Sequence, residues 1–278
     1  MLCRKCGVII KDGWPYEYHT SCFPDDAVIP GMHGMTGFDL GIKDDVINIV
    51  RWAHNNSPRS LQTSLGCSEV GQECDRRIGY TMAGIPAASG LGSDPWPAVV
   101  GTAIHAWMEL AVNSYQEAHS LKQWVTELEV HPSPIVKGHT DLYDKDRKAV
   151  LDWKFPSPAN LKIMREEGPS SQYMTQVQLY GLGHVNAGRA VDRVGIVAAG
   201  RQGWLKDLYV HTVPFDQGAA EAALERVYAL GRKLNEMNIL QHPKLWDDIP
   251  AVPSRLCTWC PFYSRNALTA DDKGCPGS

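Results

Sequence analysis

The distribution of eight cysteines constrains this 278-residue chain more than any other feature of its sequence. Six of them lie near the two ends, and no apolar stretch typical of a secretory signal accompanies the first ones. Disulfides are rare in reducing compartments, where closely spaced cysteines more often bind metal. The sequence therefore favours metal-binding cysteines, and we expect a cytoplasmic protein.

The first group of candidate metal ligands is Cys3-x2-Cys6, followed after twelve residues by His19-x2-Cys22. Three thiolates and one imidazole form a typical tetrahedral Zn²⁺ site. A segment of about twenty residues buries too little apolar surface to fold without such a crosslink. We predict a zinc knuckle with a structural Zn²⁺ over residues 1–24. Incidental surface cysteines beside a histidine are the alternative.

The second group is Cys257-x2-Cys260, followed by Cys275. Three cysteines are one short of a thiolate tetrad, so the fourth ligand should be Cys74 or Cys67. Either choice requires this part of the chain to fold back beside the C-terminal residues. An all-cysteine site suits Zn²⁺ or an iron–sulfur cluster, and the spacing leaves both open.

Composition places the chain among globular proteins with an ordinary buried core. Hydrophobic residues make up 44% and charged residues 21% of the sequence. The formal net charge is −4, so any nucleic-acid binding must use a local groove rather than an overall basic field. No run reaches the roughly 18 apolar residues that a membrane span needs, and we expect no membrane partner.

Hydrophobic periodicity predicts a short helix and then elements in the order α-β-β-β-α-β-β-α. Residues 25–60 have the composition of a linker with that short helix, and residues 61–278 carry the main domain. The predicted ranges are helices over 43–55, 101–119 and 171–186, a helix capped by Asp216, and strands over 124–131, 135–143, 148–155, 192–199 and 207–213. This order indicates an α/β fold.

The strand over residues 148–155 carries the residues best suited to chemistry. Strict alternation puts Asp152 and Lys154 on one face and the apolar residues Ala149, Leu151, Trp153 and Phe155 on the other. Two residues apart on a strand, Asp152 and Lys154 lie about 7 Å apart along the chain. The carboxylate could hold a metal while the ammonium reaches water or a phosphate. A solvated face with a weak ion pair is the alternative.

Four further residues strengthen this interpretation. A hairpin would bring Asp141, near the end of the preceding strand, beside Asp152. His105 on the helix 101–119 would add an imidazole, giving a ligand set suited to Mg²⁺ or Mn²⁺. Gln176 and Tyr180 follow one helical turn apart on the next helix.

This ordered set resembles the PD-(D/E)XK nuclease superfamily in its RecB-like branch. The matching motifs are Gly101-x3-His105, Gly138-x2-Asp141, Asp152-Trp153-Lys154 and Gln176-Val-Gln-Leu-Tyr180, in sequence order. The resemblance covers residues 61–278 and implies a restriction-endonuclease-like core, a central mixed sheet flanked by helices. The zinc knuckle lies outside it.

Members of this branch with an iron–sulfur cluster include CRISPR-associated RecB-like exonucleases and AddB-type nuclease domains. They place one cysteine before the nuclease core and three after it. The similarity implies a C-terminal lobe with a [4Fe–4S] cluster, formed by segments 67–77 and 257–275, with Zn²⁺ as the alternative. The implied ligands are Cys74, Cys257, Cys260 and Cys275. Asp75 stands where the family has proline, and the gap before Cys275 is long.

The resemblance also implies a role for each site residue. His105, Asp141 and Asp152 would hold Mg²⁺ or Mn²⁺ together with the Trp153 carbonyl, and Lys154 would orient the attacking water. Gln176 and Tyr180 would position Lys154 or the DNA backbone, with Glu109 and Glu129 as outer candidates. Independently of the resemblance, Arg76 and Arg77 are candidates for contacts with DNA phosphates, because DNA binding is mainly driven by charge, and solvated helix faces are the alternative.

We therefore expect a metal-dependent DNA exonuclease that acts on single strands or ends in recombination, repair or phage DNA processing. Recombination or replication proteins are expected partners. Lys162 and Arg165 are candidates for phosphate contacts or ordinary solvated charges. Trp96, Trp204 and Tyr173 either stack on bases or pack in loops. A non-catalytic adaptor that binds DNA or a protein on a nuclease-like fold is the alternative function.

Overall fold

A computed structural model describes residues 36–56, 65–87, 94–253, 257 and 259–277. The chain divides into two compact units, residues 1–62 and residues 63–278. The predicted zinc ligands Cys3, Cys6, His19 and Cys22 lie outside the described residues, so the zinc knuckle stays a prediction.

The described part of the first unit is the helix α1 (Gly37–Asn55). It begins six residues before the predicted start at residue 43, which corrects the expectation of a linker there. The cause is a capping box: the Thr36 hydroxyl accepts the Asp39 N–H at 3.4 Å, and the Asp39 carboxylate accepts the Thr36 N–H at 2.8 Å. This reciprocal cap outweighs the low helix propensity of the glycines at the helix start.

A six-stranded mixed sheet forms the centre of the second unit, with helices packed on it. The strands are β1 (Leu65–Gly66), β2 (Trp124–Ser133), β3 (Val136–Asp144), β4 (Ala149–Lys154), β5 (Arg193–Ala198) and β6 (Tyr209–Pro214). The helices are α2 (Cys67–Val70), α3 (Asp75–Met82), α4 (Trp96–Ala118), α5 (Pro158–Glu167), α6 (Ser171–Asn186) and α7 (Gln217–Glu236). The expected α/β fold with a central mixed sheet is confirmed.

Three of these helices were not predicted. α2, α3 and α5 contain four, eight and ten residues, too few to show a repeated apolar stripe. Among the helices that the structure describes, none is long and apolar enough to cross a membrane.

The pairing around β3 leaves an opening in the sheet. β2 lies antiparallel along one edge of β3. The other edge pairs with β1 at Val136–Lys137 and with β4 at Leu142–Asp144. Between these two contacts, residues 138–141 of this edge have no strand partner in the described sheet. β5 and β6 then extend the sheet beyond β4.

Apolar side chains cover both faces of the sheet. On one face, Val150 and Ile196 belong to the main core together with Leu179 of α6. On the opposite face, Trp153 and Leu142 form a smaller core that packs against α4. The alternation predicted for residues 148–155 therefore separates two buried faces.

His184 of α6 is a buried polar residue within this core. Its Nε2 lies 3.1 Å from the Thr140 hydroxyl, and its ring packs on Tyr143 with centroids 4.6 Å apart. Its Nδ1 has no hydrogen-bond partner among the described residues. Burial lowers the pKa of His184 to about 4, so the folded protein keeps this imidazole neutral.

We expect this histidine to make the protein sensitive to acid. Between the ordinary pKa of 6.5 and about 4, the unfolded chain binds a proton that the folded chain excludes. Stability therefore falls as the pH drops through this window, by up to about 3 kcal/mol. His184→Phe should flatten this pH dependence in urea unfolding experiments, whereas the exposed control His242→Gln should not. Equal slopes for His184→Phe and the wild type would contradict this assignment.

Candidate active site

Asp141 lies at the point where β3 and β4 separate. The pairing of these strands ends at Leu142 and Leu151. Beyond it, the Asp141 Oδ2 accepts the N–H of Trp153 at 2.6 Å, and the Oδ1 lies 3.0 Å from the Nδ1 of His105. The carboxylate thus connects the end of β4 with helix α4, at the opening beside residues 138–141.

Glu127 joins His105 and Asp141 in a group that sequence reasoning missed. Their ligand atoms all lie within 4.8 Å of one another, which suits a bound cation. Glu127 has a positive φ of 47°, a conformation that is costly for a residue with a side chain and that clusters at functional sites. Partial desolvation raises the pKa of Glu127, and the nearby carboxylates of Asp141 and Glu109 add to it.

The register of the hairpin was the signal that could have identified Glu127. Thr126 pairs with Leu142 and Leu128 pairs with Thr140, which leaves Glu127 opposite Asp141. Glu109 and Glu129 were instead predicted as the outer candidates. Glu129 contacts two surface histidines, His131 and His139, at 3.0 and 3.4 Å.

Asp152 and Lys154 form a buried ion pair, and the alternative of a solvated strand face is wrong. Their side chains are 3% and 17% exposed, and the Lys154 Nζ lies 2.6 Å from the Asp152 Oδ2. The ammonium also sits 4.7 Å from the centre of the Tyr173 ring. Burial raises the pKa of Asp152 to about 6, although the charge of Lys154 acts in the opposite direction.

Gln176 holds this pair from α6. Its amide nitrogen donates to the Asp152 Oδ1 at 3.0 Å and to the Tyr180 hydroxyl at 2.9 Å, and its amide oxygen accepts from Lys154 at 3.2 Å. Burial raises the pKa of Tyr180 well above its ordinary value, so the phenol stays protonated. The spacing of four residues on α6 places both side chains on one face.

The predicted site residues therefore fall into two adjoining parts. His105 and Asp141 lie in the group with Glu127, whereas the oxygens of Asp152 are engaged by Lys154 and Gln176. The carbonyl of Trp153 was predicted as a metal ligand. In the structure, its N–H donates to Asp141 and its side chain lies in the small core. Asp141 links the two parts.

The two glycines of the predicted motifs differ in their surroundings. A Cβ on Gly138 would lie 2.6 Å from the Tyr180 ring and 3.0 Å from the Cys67 sulfur. A Cβ on Gly101 would meet no atom within 4 Å. Only Gly138 is required by the close approach of its neighbours.

This difference gives a matched pair of variants. Gly138→Ala should destabilise the protein by about 1–3 kcal/mol, because Tyr180 and Cys67 must shift. Gly101→Ala should stabilise it by about 0.5–1 kcal/mol, because the added methyl group improves helix propensity without a clash. Urea unfolding of both variants tests the prediction, and a neutral Gly138→Ala would contradict it.

The second set of predicted ligands meets in one cavity. Cys74, Cys257, Cys260 and Cys275 all line it. Cys67 is buried elsewhere, against Gly138 in the wall of the candidate active site. Between the two alternatives left open by the sequence, the structure puts Cys74 beside the C-terminal cysteines.

Arg76 and Arg77 lie at this cavity rather than on an open surface. Arg76 is buried, and its guanidinium donates to the carbonyls of Ile249 and Asp247 at 3.0 and 2.9 Å and to the Cys275 sulfur at 3.5 Å. This corrects the expected phosphate contact for Arg76, because its donors are used by the C-terminal segment that folds back over α3.

The remaining candidate contacts are on or near the surface. Lys162 is exposed and pairs with Glu166 at 3.8 Å, as on an ordinary solvated helix. Trp96 and Trp204 are exposed, at 57% and 76%. Tyr173 packs against Lys154, so it belongs to the site.

Comparisons with known proteins gave structural likenesses at low identity. A scan against protein-family models found no match. A search of curated proteins also found no match.

Several solved structures resemble this chain. An alkaline exonuclease from Laribacter hongkongensis is 13% identical, covering 66% of this chain and 94% of its own, with a TM-score of 0.42. The protein SSO0001 is 12% identical, covering 86% and 99%, with a TM-score of 0.43. A phage-related exonuclease from Haemophilus somnus is 14% identical, covering 48% and 70%, with a TM-score of 0.35. At these values the function has to be argued from the chain's own residues.

Proposed function

We propose that this chain is a divalent-metal-dependent DNA nuclease of the PD-(D/E)XK type, acting as an exonuclease on single strands or ends. One observation carries the proposal: Asp141 joins a group of cation ligands to a buried carboxylate–ammonium pair. Phosphodiester hydrolysis needs both a cation and a positioned cationic donor. Such an enzyme would process DNA in recombination, repair or phage DNA processing, alongside recombination or replication proteins.

The donor set fits Mg²⁺ or Mn²⁺. His105, Glu127 and Asp141 offer one imidazole and two carboxylates within 4.8 Å of one another, and oxygen with imidazole suits these ions. Asp152 and the Trp153 carbonyl are proposed as the remaining ligands. A bound cation would polarise the phosphate and lower the pKa of water.

Lys154 would orient water and stabilise the charge that develops on the phosphate. Asp152, Gln176 and Tyr173 hold its ammonium in place, so little reorganisation is needed during the reaction. Hydrolysis adds the water oxygen to phosphorus, breaks the bond to one sugar oxygen and transfers a water proton to that sugar oxygen. Tyr180 keeps its proton and fixes Gln176, which is a positioning role.

Cleavage of labelled DNA with Mg²⁺ or Mn²⁺ tests this function. Asp152→Asn and Lys154→Met should each lower the rate at least about 100-fold, because each removes a charge from the reacting centre. The control is Asp192→Asn. It removes an exposed ion pair with Lys148, which directly precedes β4 and so lies at the end of the strand opposite to Lys154. That variant should cleave like the wild type.

The outcome for the wild type separates the two candidate functions. If neither metal supports cleavage of single-stranded or double-stranded DNA, the nuclease proposal fails. Equal DNA binding with and without chelator, and no cleavage, would favour the adaptor alternative. The intact Asp152–Lys154 pair supports the enzyme, because a pure adaptor has no need to bury it.

We further propose a [4Fe–4S] cluster held by Cys74, Cys257, Cys260 and Cys275. The observation that supports a shared group is that all four cysteines line one cavity. Four thiolates suit an iron–sulfur cluster, with Zn²⁺ as the alternative. The cluster would connect α3 to the C-terminal lobe, while the knuckle of residues 1–24 would hold structural Zn²⁺.

Substitution of Cys74 and of Cys67 shows which of the two cysteines is the fourth ligand of the cluster. Protein prepared without oxygen should be brown, with broad absorption at about 400 nm and with bound iron and sulfide. Cys74→Ser should lose this absorption and much of the solubility. Cys67→Ser, the matched control in the active-site wall, should keep the colour. A colourless wild-type protein that holds only zinc would contradict the cluster.

A further inference from the structure

The loop between β5 and β6, residues 199–208, presents an exposed aromatic residue that the proposed reaction does not use. Trp204 is 76% exposed and its neighbour Leu205 is 83% exposed. An exposed ring of this size, next to a second exposed apolar side chain, is available for contact with a partner. Trp204 is therefore not packed within its own loop.

The base of this loop is attached to the end of the strand that carries Lys154. The Ala199 N–H donates to the Lys154 carbonyl at 3.0 Å. Arg201 donates from its backbone to Pro156 at 3.2 Å and from its Nε to the Phe155 carbonyl at 2.7 Å. The loop thus begins directly beside the proposed catalytic lysine.

The loop also lies close to the cation ligands. The Phe155 ring packs edge-on against His105, with centroids 5.3 Å apart. Arg201, bonded to the carbonyl of the same Phe155, is three residues from Trp204, or about 10 Å of extended chain at most. Trp204 is thus carried by a loop whose base lies next to both parts of the candidate site.

Several contacts fix the loop that carries Trp204. The Gly203 N–H donates to Gly200 at 3.1 Å in a tight turn. Gly200 packs on Leu161 of α5, since a Cβ there would lie 3.3 Å from this side chain. At the other end, the Arg165 guanidinium donates to the Asp207 carbonyl. An aromatic ring on an anchored loop loses little conformational entropy when it binds a partner.

The charges around Trp204 suit a polyanion. Arg201 and Lys206, both exposed, lie on either side of it in sequence. Asp207 is the acid of the same loop, and Lys162 on the adjoining α5 is paired with Glu166. Alternation of cations with an exposed aromatic residue is typical of surfaces that bind single-stranded nucleic acid.

We propose that Trp204 stacks on an unpaired base of the DNA strand whose phosphodiester enters the site, while Arg201 and Lys206 contact its phosphates. The inference rests on the proposed nuclease function and specifies its substrate as single-stranded or frayed DNA. In a duplex the faces of the bases are already stacked on one another, so a stacking residue selects unpaired bases.

Binding measurements test this without requiring cleavage. In an Asp152→Asn background, fluorescence anisotropy with labelled oligo(dT) should give a Kd about 5- to 100-fold weaker for Trp204→Ala, the loss expected for one stacked base. Trp204→Phe should recover most of the affinity. Blunt duplex DNA should bind less than about twofold differently to Trp204→Ala and its parent.

Trp107→Ala is the matched control. Trp107 is 63% exposed on α4, two residues after His105, so the helix directs it about 200° away from that ligand. It should bind oligo(dT) like the parent. An unchanged Kd for Trp204→Ala, or an equal loss for Trp107→Ala, overturns the proposal. Unchanged DNA binding with altered sedimentation would assign the loop to a protein contact instead.

A parallel assay separates failure of this inference from failure of the proposed function. Hydrolysis of bis(p-nitrophenyl) phosphate by the wild-type protein reports the chemistry without a DNA strand. If the wild type hydrolyses this compound while Trp204→Ala binds oligo(dT) normally, the stacking role is wrong and the nuclease stands. If neither the compound nor DNA is hydrolysed while Trp204→Ala weakens binding, the nuclease is wrong and the stacking role stands.

Discussion

The carboxylate of Asp141 is the interaction on which the candidate site depends. It replaces a strand partner for the N–H of Trp153, at the point where β3 and β4 separate, and its other oxygen meets His105. A backbone carbonyl at this position would satisfy the same N–H but would carry no charge. By using a side chain, the fold keeps the end of β4 in place and also brings a carboxylate oxygen to His105 at the opening of the sheet.

Burial of Asp152 beside Lys154 has a cost that the surrounding structure offsets. The pKa of Asp152 is raised despite the adjacent ammonium, so desolvation outweighs the attraction between the two charges. Gln176 reduces the cost by hydrogen bonding to both members of the pair. The apolar core beneath α6 supplies stability that this pair does not. A buried carboxylate with a raised pKa beside a cationic group is the type of pair that marks a candidate functional site.

The parts of the site that follow from strand geometry could be predicted from the sequence. The alternation around Asp152 and Lys154 defines the faces of β4 whatever packs on them. Glu127 was missed because its own backbone has a positive φ, which interrupts the regular strand geometry that an alternation pattern assumes. Arg76 was assigned to DNA because DNA binding is mainly driven by charge, but a guanidinium also binds backbone carbonyls. Only the folding of the C-terminal segment over α3 shows that the partners of Arg76 are carbonyl groups.

The same C-terminal segment packs on a part of the chain that also reaches the candidate site. The Tyr80 hydroxyl of α3 donates to the carbonyls of Asp271 and Gly274, and its ring packs against Trp246, so the lobe is seated on this helix. Cys67, one short helix earlier, packs against Gly138 in the wall of the site. Residues 67–82 therefore touch the lobe at one end and the site at the other. The C-terminal segment and the candidate site therefore share one continuous packed region of the chain.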